Sequence, residues 1–339
     1  MASRTKPASI TDVAKLAGVS VPTVSRVLTG AARVAPDKVA RVEEAIDQLQ
    51  YRPNAVARAL VSGSSNMIVV LASNTTYYGY AATIQGVEEA ARLAGMMVMI
   101  TVIQSSDKAH VTSAVQSALR QPIAGIVVLK FDVAGVAALA EIPGTTPVAV
   151  ASGLLEENHP QAVMDEFAGG EAATKYLLSL GHKTVQHVSI PQSGAGEDLR
   201  TLGWRKALSD SGIVAPPVVP SSWDPQTGVR IGRELAARAD VTAIFCGNDE
   251  IAMGVISGAR SAGRRVPEDL SVVGFDDHPL SSLWSPALTT VRQDFVALGR
   301  NTFELLWNSI EKLAGPTHTS EATQLIIRES AARVPVDPA

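Results

Sequence analysis

Between residues 10 and 49 the apolar positions recur at helical spacing in three short runs. In ITDVAKLA, residues 10–17, Ile10, Val13, Ala14 and Ala17 share one face. Gly18 closes this helix, because glycine adopts the turn conformation that other residues resist. Ser20 then stands where an N-cap hydroxyl is wanted. Pro22 falls in the first turn of the second helix, where its missing N–H is harmless. Val24, Val27 and Leu28 give that helix its buried face. A third helix is predicted from Pro36 to Leu49, with Val39, Val42, Ala45, Ile46 and Leu49 inward. Three short helices make one small core of marginal stability. The next stretch, YRPNAVARALVSGSSN, is broken by Pro53. NAVARAL is too short to be helical alone in water, so it predicts a helix formed only when something holds it. GSS at 63–65 reads as a linker.

From Met67 the rhythm changes, and apolar runs alternate with amphipathic stretches. Strands are predicted at 67–72, 97–103, 125–130, 147–151, 184–189, 217–220, 242–246 and 271–275, with a final strand at 322–328. Helices are predicted at 81–94, 108–120, 132–140, 168–180, 197–211, 227–239, 249–262 and 294–313. Such βα alternation implies parallel sheets with helices on both faces. The number of strands favours two sheets, and the pause at 152–165 reads as the first crossing between two lobes. The chain therefore divides into a head at 1–50, a hinge and linker at 51–66, and a body at 67–339. Within the body, lobe 1 is placed at 67–164 plus 277–294 and lobe 2 at 165–276 plus 295–330.

The formal net charge of −4 conceals an asymmetry. Residues 1–60 hold nine basic and five acidic side chains, whereas the remainder holds 20 basic and 28 acidic. A basic head on an acidic body suggests that only the head meets a polyanion. The single cysteine, Cys246, excludes an intramolecular disulfide and a thiolate metal cluster. The start, MASRTKPASITD, has no apolar signal core, and the longest apolar runs are too short to span a bilayer. A cytoplasmic protein without membrane contact is expected. The sequence has no Ser/His/Asp spacing, phosphate-binding loop with lysine, or HExxH motif, so neither an enzyme nor a cofactor is expected.

A helix, a tight turn and a second helix opening with hydroxyl residues is the helix-turn-helix arrangement. The N-terminus of the second helix offers free N–H groups to a phosphate. Ser20, Thr23 and Ser25 are compact donors able to approach a DNA backbone, and the guanidinium of Arg26 can reach guanine O6 and N7. No acid interrupts Gly18 to Gly30. The bland alternative is a small cap or oligomerisation domain.

ITDVAKLAGVSVPTVSRVLTG, and VAPDKVARVEEAIDQLQYRPNAVARALVSG after it, resemble the head of the LacI/GalR family of bacterial repressors. The resemblance continues through GVEEAARLAG, YLLSLGHKTV, IFCGNDEIAMGV, VPEDLSVVGFDD and LTTVRQDF. It implies a two-lobed α/β body similar to periplasmic sugar-binding proteins, preceded by an all-α helix-turn-helix domain. It implies that Val21, Pro22 and Arg26 face the major groove, and that Thr11, Ser20, Thr23 and Asn54 position the DNA backbone. NAVARAL matches a hinge helix that pairs with its partner's in the minor groove, where Ala57 permits close approach and Leu60 levers into a base step.

Ligands of open α/β sheets sit beyond the carboxyl ends of strands. Tyr78, Tyr80, Arg200, Asn248, Asp276 and Gln293 follow predicted strands. The resemblance implies effector contacts at Arg200, Trp223, Asn248, Asp276 and Gln293. Where many relatives carry an aspartate after the fourth strand, this chain has Ser152. Polar groups with an indole favour a sugar, and the extra tyrosines favour a di- or oligosaccharide. No leucine heptad follows the last strand, so a homodimer on a palindromic double-stranded DNA operator is expected. The resemblance leaves open whether ligand releases the operator or strengthens binding. A sugar receptor without DNA function is the remaining alternative.

Overall fold

The computed structural model describes residues 8–29, 34–51, 65–156, 158–191 and 196–334. The chain divides into two compact units, Met1–Ser65 and Asn66–Ala339.

In the first unit, α1 spans Ile10–Ala17, α2 Val21–Thr29 and α3 Pro36–Leu49. Ser9 caps α1 through a reciprocal box with Asp12, a start signal one residue ahead of the apolar run. Gly18 ends it at φ 64°, and its N–H donates to Ala14 O. Val13, Ala14 and Ala17 meet Val24, Val42 and Ala45 in a small core.

The second unit holds two six-stranded sheets. In chain order the strands are β1 Met67–Ala72, β2 Met97–Val102, β3 Gly125–Lys130, β4 Val148–Ser152, β5 Gln161–Met164, β6 Gln186–Ser189, β7 Val219–Pro220, β8 Ala243–Cys246, β9 Ser271–Asp276, β10 Thr289–Arg292, β11 His318–Glu321 and β12 Gln324–Ile326. The first sheet runs β11-β5-β4-β3-β1-β2 and is parallel throughout. The second runs β12-β10-β9-β8-β6-β7, and only its edge strand β12 is antiparallel. β1 and β3, buried at nearly every position, read as continuous apolar runs, as strands covered on both faces do.

Three details correct the sequence expectation. The pause at 152–165 contains β5, which pairs with β4 and β11, so the first crossing comes only at Asp165. The predicted strand 322–328 is the shorter β12, and an unpredicted strand, β11, precedes it in the other sheet. The lobe assignment of 289–321 is reversed, while β12 lies in the second lobe as expected. β10 pairs with β9 in the second lobe, whereas the helix Phe295–Glu311 packs into the first-lobe core through Phe295, Leu298, Phe303, Leu305 and Leu306. Three crossings explain this, at Asp165, at Gln293–Asp294 and at Ala322–Thr323. They are laced together, with Asp165 N–H donating to Glu321 O and Thr323 Oγ1 donating to Asp165 O.

Glycines set how closely the first-lobe helices pack. A Cβ on Gly299 would lie 2.1 Å from the Thr83 carbonyl oxygen, and one on Gly86 would lie 2.0 Å from that of Val296. Neither neighbour is a movable side chain, so the helices Tyr78–Leu93 and Phe295–Glu311 would have to separate. Gly299→Ala is expected to destabilise the body by ~3 kcal/mol, read as a lowered Tm in calorimetry. An unchanged Tm would mean that the two helices can separate here at little cost.

Candidate effector cavity and DNA-facing helix

A cavity of about 530 Å³ lies between the carboxyl ends of the two sheets, within the range of small-molecule sites. Tyr78, Tyr80, Ser152, Arg200, Trp223, Asn248 and Asp276 all line it.

Its polar floor is organised by Arg200, in the first turn of the helix Leu199–Asp210, which Asp198 caps. Arg200 is 6% exposed. It donates to Glu166 Oε1 at 2.7 Å, to Gln293 Oε1 at 3.2 Å and to the Gly247 carbonyl, and lies 3.3 Å from Asp276 Oδ1. It also stacks 4.2 Å over the Phe275 ring. Burial opposes its charge, but Glu166 and Asp276 more than restore it, leaving its pKa above the ordinary value. Asp276 is the opposite case. Burial pushes its carboxyl well up, Arg200 pulls it back, and Glu250, Asp249 and Glu166 add repulsion. Its backbone is held at φ 104°, a conformation rare outside glycine. Arg200 Nε and Gln293 Nε2 are buried without a partner, and Asp276 Oδ1 accepts no hydrogen bond. Of these, Arg200 and Asp276 line the cavity, and their open positions are unused capacity for a polar ligand.

Asn248 caps the helix Asp249–Ser261, its Oδ1 accepting from Ile251 N–H at 2.8 Å. With the oxygen so used, its amide NH2 is what remains for a ligand. The neighbouring Asp249 is fully buried, accepting from His278 N–H at 2.7 Å, Ser281 Oγ at 2.6 Å and Thr290 Oγ1 at 2.6 Å. Burial raises its pKa to about 7 against these three donors. The folded state therefore holds a proton that the unfolded chain releases near pH 4. Stability from this group is lost as pH rises toward 7. Between pH 5 and 8 the wild type should lose ~2–3 kcal/mol more than Asp249→Asn, measured by urea unfolding at each pH; parallel profiles would remove Asp249 as the cause.

Two predicted contacts take different roles from those expected. The Ser152 hydroxyl is occupied, donating to Leu154 O at 2.8 Å and accepting from Gln161. Gln293 does not line the cavity but orients Arg200 from behind. Tyr80 presents its ring, while its hydroxyl bridges Ser73 at 2.9 Å and Asp132 at 2.7 Å. Burial, then the Asp132 charge, raises its pKa. Tyr78 packs edge-on against Phe295 at 5.6 Å and His278 at 5.0 Å.

Sequence reasoning missed Tyr77, whose ring lies 5.9 Å from that of Trp223 and tilted by 32°. The two come from opposite lobes and both line the cavity. It also missed Lys130, which ends β3 and pairs with Glu156 at 2.6 Å. A lysine closing an otherwise apolar buried strand was the available signal, since such a charge needs a partner.

On the first unit, α2 exposes Val21, Pro22 and Arg26, with Thr23 and Ser25 half-buried beneath them. Ser20 and Thr11 are also exposed, and the Ser20 and Thr23 hydroxyls are hydrogen-bonded at 2.9 Å. Asn54, Ala57 and Leu60 lie outside the described residues.

Residues 9–54 match the bacterial regulatory proteins of the lacI family, and residues 174–331 a periplasmic binding protein-like domain. The chain is 33% identical to the HTH-type transcriptional repressor PurR of Pectobacterium carotovorum over 97% of its length and 98% of the relative's. It belongs to the LacI family. The corresponding protein of Pasteurella multocida is 31% identical over 95% of this chain and 98% of that one. Among solved structures, the Lac repressor dimer bound to operator and an anti-inducer superposes with a TM-score of 0.87 at 28% identity, covering 96% of this chain and all of that one. A complex of the transcriptional regulator CelR with cellobiose matches with a TM-score of 0.71, also at 28% identity, covering 96% and 100%. These LacI-family relatives are regulators, which settles that the protein is a transcriptional regulator and not an enzyme. Among the described residues no helix is long and apolar enough to cross a membrane.

Proposed function

We propose that this regulator is a sequence-specific repressor of sugar-utilisation genes, released from a palindromic operator by a di- or oligosaccharide. The observation that carries the reading is the two-part cavity. Its floor, Arg200, Asn248 and Asp276, offers donors and acceptors suited to vicinal hydroxyls, and its outer wall is aromatic. Pyranose rings present this combination, with hydroxyl edges and apolar faces. The relative bound to cellobiose supports a β-linked disaccharide. The head supplies DNA contact through the exposed side chains of α2, with Arg26 reading a base edge and Thr11, Ser20, Thr23 and Ser25 holding phosphates. Asn54 also positions the DNA backbone, Ala57 and Leu60 serve the hinge, and a homodimer matches two heads to two half-sites.

The mechanism is linkage. Ligand held by both lobes favours one lobe arrangement, and that arrangement disfavours operator-competent hinges. Operator must then weaken ligand binding by the same factor that ligand weakens operator binding.

The test is to select genomic DNA fragments on the purified protein and elute them with a panel of sugars. One palindromic sequence released by one disaccharide establishes the reading. Recovery that requires a ligand reverses the sign to corepression. Absence of specific DNA under every ligand overturns it in favour of a sugar receptor.

A further inference from the structure

The charges around the cavity are lopsided. Six carboxylates line it, Glu156, Glu166, Glu197, Asp198, Glu250 and Asp276, against two cations, Lys130 and Arg200. Both cations are committed. Arg200 is locked to Glu166 and Asp276. Lys130, whose side chain is 7% exposed, has its Nζ 2.6 Å from Glu156 Oε1. Glu156 is held in place by its loop. Its N–H donates to Gln161 Oε1 at 2.8 Å, and Gln161 Nε2 in turn donates to Leu154 O at 2.6 Å.

We infer that the cavity rejects anionic ligands, and that Glu156 enforces this by neutralising Lys130, the buried lysine that would otherwise attract them. Sugar phosphates and uronates are excluded, and the ligand is an unphosphorylated, non-acidic glycoside. An entering phosphate would lose its hydration, find the charge of each lining cation already balanced by a carboxylate, and meet further carboxylates such as Glu250. Glu156 acts as a specificity-determining residue through Lys130. The inference rests on reading this cavity as the effector site.

The experiment uses the full-length protein labelled with 5-fluorotryptophan, which places a 19F reporter at Trp223 on the cavity wall. Inorganic sulfate is titrated at constant ionic strength. Wild type should show no saturable shift of the Trp223 resonance. Glu156→Gln frees Lys130 and should bind sulfate saturably in the millimolar range, on the order of −4 kcal/mol, and Glu156→Gln/Lys130→Met should lose that binding. Sulfate binding to wild type as tight as to Glu156→Gln, or none to the folded Glu156→Gln protein, overturns the inference. A second arm compares cellobiose with its 6-phosphate by calorimetry. Wild type should discriminate against the ester by ~100-fold or more, and Glu156→Gln should narrow the gap ~10-fold or more. An ester that binds wild type as well as cellobiose also overturns it. If cellobiose itself does not bind, the disaccharide reading loses its leading candidate, while the sulfate arm still decides the charge inference.

Discussion

Replacing Arg200 with alanine is expected to abolish the effector response while leaving operator binding in the absence of effector close to wild type. The guanidinium is the hub of the cavity floor, joining Glu166 from the helix Glu166–Ser179, Gly247 after β8, Asp276 at the end of β9 and Gln293 at the second crossing. Removing it deletes the fork that addresses a diol and leaves two carboxylates without their counterion. Breaking one side of a buried charged network costs ~3–5 kcal/mol of stability, and a ligand separately loses its charge-assisted hydrogen bonds to the fork, about 1.5–3 kcal/mol each, or ~100-fold or more in affinity for a pair. Asp276 softens the structural part of this cost, because its carboxyl is already pushed toward the protonated form and will take up a proton when Arg200 is gone. The loss of stability should therefore be smaller at pH 5 than at pH 8. Arg200→Lys keeps the charge but lacks the planar fork, and is expected to restore stability more than affinity. Calorimetric titration with the eluting sugar, beside operator anisotropy, separates these outcomes. Wild-type sugar affinity in Arg200→Ala would remove Arg200 from the ligand site.

Much of this site was legible because its chemistry follows strand ends. Asn248 comes two residues after β8 and Asp276 at the end of β9, and a polar residue at the carboxyl end of a buried parallel strand faces the crevice. The three head helices were equally legible, since each carries its own periodic apolar face and Gly18 its own stop. What stayed hidden depends on which sheet a segment joins. β5 is four residues long, QAVM, and lies behind a polar loop. The helix Phe295–Glu311 has an apolar face that would suit either lobe, and only pairing of β10 with β9 and β11 with β5 decides that it returns to the first. Lys130–Glu156 and Tyr77–Trp223 are contacts across 26 and 146 positions of sequence, beyond the reach of any local pattern. The partner of the Ser152 hydroxyl was hidden for the same reason, since Gln161 reaches it from the strand that the sequence concealed.

Deleting residues 1–65 is expected to eliminate specific operator binding and leave ligand binding intact. The cut falls at the boundary between the two compact units, and the remaining body keeps both sheets and their own apolar cores. The electrostatics run the same way. The first 60 residues carry more basic than acidic side chains, nine against five, and the rest carries 28 acidic against 20 basic. The truncated body therefore repels a polyanion and loses the counterion-release term that supplies most non-specific affinity. Specific binding should fall by ~10³-fold or more, to below detection in an anisotropy titration, while sugar titration of the same preparation gives the wild-type affinity. Arg26→Ala is the finer cut. It removes a long exposed donor from α2 without touching the head core. It should cost ~1–3 kcal/mol and relax preference at one base pair in each half-site, whereas an alanine at a phosphate-holding residue weakens all sequences alike. A truncated body that still bound the operator specifically would place recognition outside the head. An Arg26→Ala protein that weakened uniformly, with its base preference intact, would move Arg26 from reading bases to holding phosphate.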